Sequence, residues 1–184
     1  MKVVFVSTTF LAKNGISTFV LNNSNYFASK LNIETYIVAP NLVDKYTKKL
    51  LRENKVHLIE IPFRKKNSLK YLKKLMIFLK SDKFDAIHVN GNSSTMGLEL
   101  FLAKLAKIPV RISHCHNTKS SYPKLNKILK PLFNYCVNCR MACSQEAGEW
   151  LYGKRNFYVI DNGINLDTYC PSECSRKRIR EIFN

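Results

Sequence analysis

Apolar residues fall in short unbroken runs, separated by stretches in which they recur every three or four positions. Lys2–Thr8 (KVVFVST), Glu34–Pro40 (ETYIVAP), Val56–Pro62 (VHLIEIP), Ala86–Asn90 (AIHVN) and Val110–His116 (VRISHCH) are the runs. Their length and β-branched content predict strands buried on both faces. Ile16–Leu31 places Ile16, Val20, Phe27 and Leu31 on one helical face. Asp44–Arg52 reads as a short helix with Asp44 as its cap. Ser68–Ser81 carries Leu69, Leu72, Met76 and Leu79 on one side, and Met96–Lys107 is apolar on most faces. Lys124–Tyr135 is a further helix, which Pro131 is expected to kink or split. Met141–Ser144 and Tyr158–Asp161 read as short strands flanking a helix at Gln145–Tyr152, and Arg176–Phe183 begins a last helix.

Strands that alternate with helices imply a Rossmann-like α/β fold, a parallel sheet with helices on both faces. A chain of 184 residues can bury one such core. Ligands of these sheets sit beyond the carboxyl ends of the strands, at the point where strand order reverses. The segments to search are therefore Ser7–Gly15, His88–Ser94, His114–Thr118, Ser144–Glu146 and Asn162–Asn165.

Charge narrows the partners. Thirty Lys and Arg against thirteen Asp and Glu leave a formal +17, which favours phosphorylated ligands, an anionic membrane or nucleic acid. Nucleic acid lacks support, because no recognition motif or aromatic-interleaved basic patch is present. Arg64–Lys80 is basic and amphipathic. It reads either as a core-facing helix with a solvated face or as a patch on an anionic leaflet. Met1-Lys2 leads straight into a short strand, with no signal peptide and no apolar stretch of about 20 residues. A cytoplasmic protein with six reduced thiols is expected.

The loop after the first run ends at Asn14-Gly15-Ile16. Gly15 permits close backbone approach to a phosphate, and the following amides open a helix N-terminus, which suits anions. The bland alternative is a glycine that only turns the chain. Neither GxGxxG nor GxxxxGK[ST] is present, so dinucleotide and P-loop fingerprints are missing. In His114-Cys115-His116, alternation puts both imidazoles on one side. His116 lies nearest the carboxyl end, where it can donate to a sugar hydroxyl or, protonated, pair with phosphate. His114 reads as a core residue. His88, in Ile87-His88-Val89-Asn90, can join the same cleft. Zinc spacing is absent around these histidines, and Cys136, Cys139 and Cys143 (C-x2-C-x3-C) lack a fourth ligand, so inert thiols are expected.

Several of these segments occur in order in a known family. Asn14-Gly15-Ile16, Ile112–Thr118, Ala142–Gly153 (ACSQEAGEWLYG) and Asp161–Asn165 (DNGIN) resemble the family 4 glycosyltransferases, most closely bacterial exopolysaccharide and capsule enzymes. The resemblance implies a GT-B fold, with an acceptor-side N-terminal domain over residues 1–170 and an interdomain segment from 171 to 184. It implies a retaining transfer from a nucleotide sugar with no cofactor or metal, to a glycan or lipid-linked glycan acceptor at the inner leaflet. Asn14, Gly15 and Ile16 then match the loop near the donor pyrophosphate, with Asn14 where the family usually has a first glycine. His116 matches the histidine that contacts the transferred sugar, although the register leaves His114 open. His88, Asn117, Ser144 and Glu146 fall on polar segments near the cleft. The family's donor-binding Glu-x7-Glu motif is absent, so a C-terminal donor domain, in cis or trans, is expected for activity. Two readings compete: a non-catalytic subunit or remnant that partners a donor domain, and a nucleotide-binding oxidoreductase, which the missing glycine fingerprint disfavours.

Overall fold

In a computed structural model, residues 1–12, 14–163 and 172–183 are described. Seven strands form one parallel sheet: β1 (Lys2–Ser7), β2 (Glu34–Ala39), β3 (Val56–Glu60), β4 (Ala86–Gly91), β5 (Val110–Cys115), β6 (Cys139–Ala142) and β7 (Tyr158–Val159). Their order is β3-β2-β1-β4-β5-β6-β7, so the direction of winding reverses between β1 and β4. The expected Rossmann-like sheet is present. Its central strands are the most apolar runs because helices cover them on both sides. In β1, Val3, Val4, Phe5 and Val6 are all buried.

Helices α1 (Gly15–Ser29) and α2 (Lys45–Glu53) cover one face, where Phe5, Phe19, Val20, Ile37 and Leu51 form one core layer. Helices α3 (Ser68–Lys80), α4 (Gly97–Leu105), α5 (Pro123–Cys136) and α6 (Gln145–Tyr152) cover the other, around Tyr71, Leu75, Leu100, Phe133 and Leu151. A 3-10 turn at Ser94–Met96 precedes α4, and α7 (Glu173–Phe183) is the last described helix. Local chemistry sets the helix starts. Asn14, Asp44, Asn67 and Ser144 each accept a first-turn amide through the side chain, which satisfies a donor the helix itself cannot.

One expectation is corrected. Pro131 does not split its helix, because α5 runs unbroken from Pro123 to Cys136. Proline removes one amide donor, so the Lys127 carbonyl loses its i+4 partner. Both residues are exposed, and water can take that place. The domain boundary expected near residue 170 lies outside the described residues.

Candidate active site at the strand reversal

The ends of β1 and β4 meet where the winding reverses. Thr8 donates from both its amide (3.0 Å) and its hydroxyl (2.9 Å) to the Asn90 carbonyl. Gly91 makes this closure possible, since a Cβ there would lie 2.3 Å from the Thr8 hydroxyl. The first loop then turns over the sheet and enters α1. Asn14 caps that helix, accepting from the Ser17 amide at 2.9 Å and donating to the Phe10 carbonyl at 3.1 Å. Its φ of −151° is ordinary extended backbone, so asparagine fits without strain where the family usually has glycine. A Cβ at Gly15 would meet nothing within 4 Å. The amides of Gly15 and Ile16 precede the first i→i−4 bond, so they point out of a helix N-terminus with no acceptor inside it. The Ile16 side chain packs on the α1-side core.

Beside this loop stand three imidazoles. His88, His114 and His116 share the α1 face of β4 and β5, and Phe19 lies against all three at centroid distances of 6.0, 4.6 and 5.0 Å. His114 stacks on His116 at 4.2 Å, and His88 Nε2 lies 3.2 Å from His114 Nδ1. Burial drives all three pKa values down, with mutual repulsion adding to the effect at His88 and His114. For His116 the value falls to about 4. The rings are therefore neutral near pH 7.

Asn90 fixes which way His116 is wired. This fully buried amide donates through Nδ2 to the His88 carbonyl at 3.0 Å. Its Oδ1 then faces His116 Nε2 at 3.0 Å. An amide oxygen only accepts, so His116 carries its proton on Nε2 and keeps Nδ1 as an unpaired acceptor. Nδ1 is itself buried, so in the free protein the ring presents no acceptor at the surface. Burial disfavours the protonated ring that pairing with phosphate needs.

The other expected positions are scattered. His88 sits three residues before the end of β4, is only 7% exposed, and pairs with His114, so it lies in the core and not at the surface of the cleft. Asn117 is exposed just past β5, with its side chain turned to the Thr118 amide. Ser144 caps α6 by accepting from Ala147 at 3.2 Å. Glu146 is exposed in the first turn of α6, where its own amide and the Ser144 hydroxyl lower its pKa. Thiols Cys136, Cys139 and Cys143 are free, and burial raises their pKa values. Among the described residues no cluster of three His, Cys, Asp or Glu is arranged to hold a metal.

A second feature at this end of the sheet was not anticipated. Arg64, just after β3, reaches Glu99 in the first turn of α4, with Nε–Oε1 at 2.6 Å and Nη2–Oε2 at 3.3 Å. Their side chains are 15% and 1% exposed. The pair forms the wall of a cavity of about 200 Å³ whose lining includes Ser68, Tyr71, Leu98 and Tyr122. Only the basic run at Arg64-Lys65-Lys66 hinted at it, and that run reads equally well as solvated surface.

With this geometry in place, the likenesses to known proteins can be weighed. The sequence model named Glycosyltransferase Family 4 matches residues 13–168. EpsF, a protein of Bacillus subtilis (strain 168) named as a glycosyltransferase, is 29% identical over 100 residues, which is 48% of this chain and 26% of EpsF. Anabaena Alr3699/HepE, solved with UDP and glucose, superposes with a TM-score of 0.68 at 17% identity, covering 100% of this chain and 50% of that one. The lipopolysaccharide outer core galactosyltransferase WaaB gives 0.63 at 20% identity, covering 94% and 49%. The chain thus spans about half the length of these solved structures. At such identities they establish the shared fold alone. Family match and fold agree: this chain belongs to glycosyltransferase family 4.

Proposed function

We propose that this chain is the acceptor-side half of a retaining glycosyltransferase, which moves a sugar from a nucleotide sugar to a growing surface polysaccharide. The observation that carries the reading is the cluster at the strand reversal. The outward amides of Gly15 and Ile16 and the open space over Gly15 follow β1, and the neutral His116 follows β5, with β4 between them at the same end of the sheet. A helix N-terminus with bare amides suits the developing charge on a departing diphosphate. A shift of the His116 ring that uncovers Nδ1, buried in the free protein, would let it accept from a hydroxyl of the transferred sugar. Asn117, Ser144 and Glu146 line the rim of the same end of the sheet. Relatives solved with UDP, such as HepE, support a nucleotide-sugar donor.

The acceptor enters beside this point, and the cavity walled by Arg64 and Glu99 and edged by Tyr122 is its proposed seat. An apolar pocket with a few fixed polar groups suits a carbohydrate ring, which is apolar on its face and polar at its edge. Among the described residues no helix is long and apolar enough to cross a membrane. A lipid-linked acceptor is reached by surface contact instead. α3 (with Lys70, Lys73, Lys74 and Lys80) and α5 (with Lys124 and Lys127) are the basic faces for an anionic inner leaflet.

We further propose that transfer needs a donor-binding domain across the cleft, in cis or trans, since the solved relatives are about twice as long. Half a cleft leaves the reacting groups in water, where electrostatic stabilisation is weak. The chain alone should turn over neither UDP- nor GDP-sugars, and a polypeptide or complex that supplies the donor domain should. Robust transfer by the isolated chain would overturn this requirement.

A further inference from the structure

Away from the strand reversal, the groove between α5 and α6 gathers positive charge. Asn126, Lys127, Lys130, Pro131, Asn134 and Arg155 line an open cleft of about 690 Å³. Arg140, on β6, is not part of the lining but lies close enough to repel Lys130 and Arg155. Among the described residues Lys127, Lys130, Arg140 and Arg155 form no ion pair, and no carboxylate lines the cleft.

Two features show that this is more than a solvated lysine face. Lys130 is half-buried and donates to the Leu151 carbonyl, which anchors its ammonium at the end of α6. Arg140 Nε is buried with no partner, and an unpaired buried donor on a charged group is costly. The cations also oppose one another. Burial first, and then repulsion from Arg155, lowers the pKa of both Lys130 and Arg140.

We propose that this groove binds a phosphate-bearing anion, held by Arg155 and flanked by Lys127 and Lys130, with the charge of Arg140 behind them. A tetrahedral anion relieves the repulsion and pairs with the planar guanidinium fork. The source is either a free phosphate compound or the headgroup of an anionic lipid, and α5 presents Lys124, Lys127 and exposed Ile128 beside the groove. The inference stands apart from the transfer reaction, since none of its residues belongs to the cluster around Gly15 and His116.

Calorimetric titration of the full chain in low-salt buffer tests it, with inorganic phosphate in one arm and phosphatidylglycerol vesicles against phosphatidylcholine vesicles in the other. Arg155 and Lys127 are exposed, so Arg155→Gln and Lys127→Gln preserve the fold. Lys45→Gln removes the same charge on α2. Saturable phosphate binding that weakens about tenfold in Arg155→Gln, and not in Lys45→Gln, supports a site for free phosphate compounds. The same pattern with phosphatidylglycerol vesicles alone supports a headgroup site. Absence of binding in both arms, or equal weakening by all three variants, overturns the proposal and leaves a diffuse field in its place.

Discussion

Three histidines packed against one phenylalanine make an unusual core, and their cost is tied to pH. His88 and His114 are buried within the sheet face, and His116 closes the stack at the strand end. Each has a folded pKa below the unfolded value of about 6.5, so below that pH the unfolded chain binds protons that the folded chain refuses. Their contribution to stability is complete above about pH 6.5 and is lost as pH falls toward the folded values, near 4 for His116. Each group adds a slope of about 1.4 kcal/mol per pH unit, or up to about 4 kcal/mol for the three together. Urea unfolding between pH 7 and pH 5 should show a steep fall in stability across this window. A flat profile there would mean that the rings are solvated. The sequence showed that His114 and His116 share a face, because strand alternation dictates it. It did not show Asn90 setting the tautomer of His116, since that link joins residues 26 apart on neighbouring strands.

At the scale of elements, the sheet's carboxyl end is held together by side chains that bridge loops. Arg64 follows Phe63, which adopts a φ of +90°, a strained conformation for a bulky residue. That turn carries the guanidinium into the wall of the cavity, against Glu99. The pair ties the loop after β3 to α4, and Gly97 lets α4 approach α5 closely: a Cβ there would lie 2.9 Å from Phe133 Cα. Removing one member of a buried pair leaves the other charged and unpaired. Arg64→Ala should therefore destabilise the fold by about 3–5 kcal/mol in chemical unfolding, and Glu99→Ala added to it should recover much of the loss. A change within about 0.5 kcal/mol for the single variant would show the pair to be solvated. This contact was not readable in the sequence. Glu99 sits in a mostly apolar helix, and Arg64 lies 35 positions earlier in a basic run. Helices were legible through periodicity and caps, as with Asp44 and α2, because those signals are local. Pro131 misled because the rule against proline inside helices assumes that the lost carbonyl partner cannot be replaced.

For the whole molecule, winding order decides where chemistry can happen. A parallel sheet with order β3-β2-β1-β4-β5-β6-β7 opens a crevice between β1 and β4. The strand pattern made this architecture legible, since runs buried on both faces have few other homes. The site within it was legible only in part. Gly15 opens α1 beside the crevice and His116 follows β5 at the same end, whereas His88 is buried in the core and Ser144 caps a helix. Gly91, which lets β1 and β4 close, carried no signal of its own. The claim on which the rest depends is that a ligand's diphosphate lies against the backbone at Gly15. Because a Cβ there meets nothing in the free protein, Gly15→Ala should leave the fold intact, or stabilise it by about 0.4–1 kcal/mol. The decisive measurement is kcat/KM for nucleotide-sugar transfer by Gly15→Ala, in the polypeptide or complex that includes the donor domain, with the thermal midpoint recorded alongside. A loss of about tenfold or more at an unchanged midpoint is expected. An unchanged kcat/KM would contradict the account.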